Sequence, residues 1–160
     1  MIEILVVVGI DGLLGVLAAV ALGSARVRAR DAKRLADMAR TVTALELYFN
    51  DHNSYPEAAT AIPLGQASTE CLGGSSGFAP ACDSSSESIY LAAVPSTPSS
   101  GLDGLVECGN ISDAYCYVGN ATGYRIQFEL ETANPEAKLQ KGVNCASESG
   151  VAAGACASIE

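Results

Sequence analysis

The chain has 160 residues, with 18 acidic against 9 basic side chains and a formal net charge of −9 at pH 7. That length suits one small domain with an appendage, and the acid excess argues against a nucleic-acid-binding head. A single histidine and no paired acids in a recognisable setting leave no nucleophile–base arrangement, so the reading is a chain that is not an enzyme and calls for no cofactor or metal.

The first element is residues 1–22, MIEILVVVGIDGLLGVLAAVAL. A helix of that length rises ~30 Å, enough to cross a bilayer core. Ile2, Ile4, Leu5, Val6, Val7, Val8, Leu13 and Leu14 form its greasy surface. Two acids interrupt it, Glu3 and Asp11, and a carboxylate in such a segment costs several kcal/mol, ~3 at the centre of a span. Gly9, Gly12, Gly15 and Gly23 cost roughly 1 kcal/mol each relative to alanine, which close packing between helices in a membrane explains.

Residues 24–49 follow without a proline, so one rod of about 50 residues and ~75 Å is expected, with 1–23 as its apolar half and 24–53 as its amphipathic half. Arg26, Arg28, Arg30, Lys33, Arg34 and Arg40 make a basic collar just past the apolar half, whereas the remainder of the chain is acidic. Positive charge on such a flank ordinarily marks the cytoplasmic side. Asp31 and Arg34, three apart, are expected to pair weakly on the wet face. Leu35, Met38, Val42, Leu45 and Phe49 recur at steps of three and four, an apolar stripe that should lie on a sheet. Tyr48, Phe49 and Tyr55 read as packing where the helix meets a loop. The helix ends at Asn53-Ser54-Tyr55-Pro56, because the residue before proline is pushed out of the helical region.

These residues resemble a known family. The Ile2-Glu3 pair, the apolar run behind it, Gly12, and the exposed half from Ser24 to Arg34 are similar to the N-terminus of type IV pilins and type II secretion pseudopilins. Residues 45–49 and 53–56 resemble the end of that family's helix, so the match spans residues 1–56. The resemblance implies a fold in which the long helix packs on a small antiparallel sheet. It implies a structural subunit that waits in the inner membrane and polymerises into a surface filament. Prepilin peptidase, a platform protein and an assembly ATPase are its implied partners, besides further copies of itself. It also implies a short basic leader that the peptidase removes, and a methylated phenylalanine two residues ahead of the position of Met1. Glu3 would pair with the N-terminal ammonium of a neighbouring subunit and so fix register. Gly12, Gly15 and Gly23 mark where the helix would stretch or break when the subunit leaves the bilayer and enters a filament. Asp11 stands where the family usually has an apolar residue, either neutral in the membrane or as the partner of a collar arginine in another subunit. Two other outputs fit the same anchor: a pseudopilin in a secretion or competence machine, and a single-pass surface binding protein.

The head comprises residues 54–160. Residues 54–103 are rich in Ser, Gly, Ala and Pro and read as a long loop, with a short apolar piece at 89–94 that reads as a brief strand or helix. Residues 104–108, 114–118 and 124–131 carry strand signals inside a meander at 104–131. Tyr124, Ile126, Phe128 and Leu130 alternate with Arg125, Gln127, Glu129 and Glu131, which predicts one wet face. Residues 132–160 read as loop again. Asn110-Ile-Ser112 and Asn120-Ala-Thr122 are taken as turns rather than glycosylation sites. Six cysteines beyond a membrane anchor suggest an oxidising setting. Pairing Cys71–Cys82, Cys108–Cys116 and Cys145–Cys156 closes the smallest loops. Zinc is the rival, but no Cys-x-x-Cys occurs. The fold class expected is α+β with disulfide-tied loops.

Overall fold

The computed structural model describes residues 2–83, 85, 87–98, 102, 108–109 and 114–159. The expected strand at 104–108 and the turn at Asn110 fall outside them, apart from Cys108. One helix, α1 (Ile2–His52), runs 51 residues without interruption. No break occurs between Gly12 and Gly23, since a single glycine lowers helix propensity without removing a backbone hydrogen bond. The helix stops where Asn53 takes a left-handed φ of 52° and donates its N–H to the Phe49 carbonyl at 2.7 Å. Asparagine is the non-glycine residue best suited to that cap.

Eight strands follow: β1 (Ala58–Leu64), β2 (Cys71–Gly73), β3 (Gly77–Ala79), β4 (Ile89–Leu91), β5 (Tyr115–Gly119), β6 (Tyr124–Leu130), β7 (Gly142–Ser147) and β8 (Gly150–Ala153). They form a five-stranded antiparallel sheet in the order β1-β5-β6-β7-β8 and a three-stranded sheet in the order β3-β2-β4. The fold is therefore α+β. Two expectations are corrected here. Residues 54–103 hold three short strands beyond the apolar piece at 89–94, on which β4 falls, and residues 132–160 hold β7 and β8. Both stretches are rich in small residues, so the signal for extended structure is weak, and pairing with neighbours supplies what propensity lacks.

The core lies between the second half of α1 and the central sheet. Met38 and Leu45 are fully buried, with Leu35, Val42 and Phe49 partly buried beside them. Against them stand Tyr115 and Tyr117 from β5 and Tyr124, Ile126, Phe128 and Leu130 from β6. Alternate residues of a strand share a face, which is why these six reach the helix together.

The opposite face is not wet as expected: Gln127 and Glu129 are buried and Arg125 is half-buried. Cys116 stands beside Gln127 in the β5–β6 register, and its disulfide lays buried Cys108 across this side. Cys71–Cys82 and Cys145–Cys156 close the other two loops, and no described cysteine is free. Asn120 makes a turn, its side-chain oxygen accepting from the N–H groups of Thr122 and Gly123.

Candidate assembly interface

Among the described residues, nothing packs against the first half of α1. Ile4, Leu5, Val6, Val7, Val8, Leu13 and Leu14 are each more than half exposed, and Ile4 and Leu5 reach 69% and 74%. The apolar window in this helix has a mean hydropathy of 2.5 and none of it is buried, so the helix is long and apolar enough to cross a membrane. Burying one large aliphatic side chain is worth about 1.5–3 kcal/mol, and the exposed apolar residues from Ile4 to Leu22 together leave on the order of 20 kcal/mol unrealised in water. That exceeds the whole stability of a typical small domain, ~5–15 kcal/mol. Lipid or other apolar surface around the spike would recover that burial.

Glu3 lies in the first turn of α1, where a carboxylate suits the partial positive charge of the helix N-terminus. The side chain of Ile2 is outside what the structure describes. Gly12, Gly15 and Gly23 face open space, with nothing within 4 Å of where a Cβ would sit. Nothing in the head therefore demands glycine there.

The collar divides into two sets. Arg26, Arg28, Lys33 and Arg40 are exposed, whereas Arg34 is fully buried and Arg30 half-buried. Arg34 donates to Asp31 Oδ1 and Glu131 Oε1, each at 2.8 Å, to Thr97 Oγ1 at 3.0 Å and to the Pro98 carbonyl at 2.8 Å. Arg30 places two donors on the same Glu131 carboxylate. Asp31 accepts from the backbone N–H groups of Glu131 and Thr132, both at 2.9 Å, and from the Thr132 hydroxyl at 2.7 Å. The Asp31–Arg34 pair expected on the wet face is thus buried. It forms the joint that fastens the helix to the end of β6 and to the loop before β5.

Electrostatics follow from this joint. Hydrogen bonds from Arg30 and Arg34 pull the Glu131 carboxyl from its ordinary 4.5 down to about 2. One turn further, Asp37 accepts from the Tyr115 hydroxyl at 3.0 Å, yet its burial pushes its carboxyl up. No spacing rule points to Glu131 as a helix partner, because it lies 97 residues from Arg34 in the chain. The only available sign is a concentration of arginine beyond what a solvated collar needs.

At the far end of the helix, aromatic rings fill the corner. Phe49 stacks on Tyr55 at 4.6 Å between centroids, and Tyr55 meets Tyr124 edge-on at 4.8 Å. Tyr48 stacks on His52 at 4.2 Å. The Tyr117 hydroxyl donates to the Pro56 carbonyl at 2.7 Å, fixing the chain as it leaves the helix. Comparison with family models, curated proteins and solved structures finds no match.

Proposed function

We propose that the chain is a structural subunit of a type IV pilus-like surface filament, held in the inner membrane by its N-terminal helix until it polymerises. One observation carries this reading: a single unbroken helix is fastened to the head along its second half and wholly bare and apolar along its first. The resemblance of residues 1–56 to pilins and pseudopilins supports it. Assembly moves the spike from lipid into a bundle of identical spikes, and the heads form the outer sheath. Glu3 compensates the amine of the neighbouring subunit and sets register. Peptidase, platform protein and ATPase act on it from outside the chain.

Shearing the source cells and imaging the supernatant by electron microscopy tests the reading, with mass spectrometry of the filament protein. Thin filaments made chiefly of this chain are expected. Their absence, or this chain only as a trace within them, overturns it in favour of a pseudopilin or an anchored binding protein. Glu3→Ala should abolish filaments while the chain stays in the membrane fraction. Normal filaments from that variant would remove Glu3 from the account.

A further inference from the structure

Asp11 is the sole charged side chain between Glu3 and Arg26. The residues one turn away on either side, Val7, Val8, Leu14 and Gly15, carry no charge. Its own helix therefore offers nothing to compensate it, and no described residue of the head covers it, since it is exposed. Whatever answers this carboxyl group belongs to another molecule.

The side of α1 that carries Asp11 continues through Gly15, Leu22, Arg26, Lys33 and Arg40, at steps of four and seven that keep to one side of a helix. All six are exposed, clear of the joint that engages Arg30 and Arg34. This face is acidic near one end and basic along the other, so two copies displaced along the axis are complementary in charge. A reversed copy is not available, because chains inserted alike in one membrane all point their heads the same way.

We propose that Asp11 pairs with Arg26 of a second, parallel copy of this chain, an inference that rests on the filament reading. The two positions are 15 residues apart, which sets the stagger between these neighbours at about 22 Å. Arg26 is the first base met along the face. Lys33 would demand about 33 Å, and the apolar halves would slide completely past one another. Arginine also suits the role, since its guanidinium is weakly hydrated and its stem lies along apolar surface.

Cross-linking tests this directly, because the described cysteines are all in disulfides and an added thiol is distinguishable. Copies with Asp11→Cys and copies with Arg26→Cys are expressed together, and the sheared filaments are oxidised. A mixed, reductant-sensitive dimer is expected, at least fivefold stronger than when Lys33→Cys replaces Arg26→Cys. Filaments that form but link through position 33, or not at all, overturn the pairing and leave the filament reading intact. Absence of filaments from the unsubstituted chain overturns both. A second measurement uses Asp11→Asn and Arg26→Gln. Each should lower filament yield several-fold, and the double variant should fall no further than the worse single one. Losses that multiply in the double variant overturn the pairing.

Discussion

At the residue scale, the joint around Arg34 dominates. Its guanidinium satisfies two carboxylates, a hydroxyl and a carbonyl in a site closed to water. Arg34→Met leaves buried Asp31 without its cation and Glu131 with Arg30 alone, and removing one partner of a buried pair costs about 3–5 kcal/mol. Denaturant unfolding of the full chain in detergent should show that loss. The joint also gives the head an acid dependence. Glu131 has its carboxyl lowered from 4.5 to about 2, so the stability it supplies is complete above 4.5 and is lost as pH falls toward about 2. Asp37 runs the other way: burial raises its carboxyl, so ionisation opposes folding there and acidification relieves it. Unfolding midpoints measured from pH 5 down to pH 2 should fall steadily, and Glu131→Gln should flatten that slope. An unchanged slope would remove Glu131 as its source.

At the scale of elements, the helix and the sheet show how much the chain revealed of itself. The apolar run of residues 1–22 and the stripe through Met38 and Leu45 have helical periodicity, and α1 is readable from them. The alternation in residues 124–131 likewise announces β6. Neither β7 nor β8 is legible, because Gly142–Ser147 and Gly150–Ala153 hold few large side chains and owe their form to pairing with β6 and with each other. Local alternation also placed Gln127 and Glu129 in water, whereas both are buried, because alternation along one strand does not report what packs over its second face. The joint was legible only in its parts: Asp31 and Arg34 were visible as a pair, and Glu131 was not. Gly119 shows a constraint of the same long-range kind. A methyl group there would run into the Tyr117 hydroxyl and the Pro56 carbonyl oxygen, the contact that fixes the helix-to-strand corner. Gly119→Ala should cost ~1–3 kcal/mol by overpacking, checked by denaturant unfolding. Gly15→Ala has open space around it, so the monomer in detergent should keep its helical circular dichroism. Any defect from that change should appear only on assembly.

For the whole molecule, the layout separates two tasks along one rod. The head end buries its stripe, neutralises its inward arginines and closes its loops with disulfides. The spike end leaves ~20 kcal/mol of apolar burial to be gained from its surroundings. The mechanical consequence lies in where the covalent bonds are. Each of the three disulfides joins residues 8 or 11 positions apart within the head, and none crosses from α1 to the sheet. A pull on the spike therefore loads the seam between helix and sheet in shear, through the Arg34 joint at the end of the central strand β6. In single-molecule stretching, the first rupture should be this seam peeling open, with a force that falls in Arg34→Met and barely responds to a reducing agent. The cystine loops would then act as stops, limiting how far the head pays out after the seam has failed.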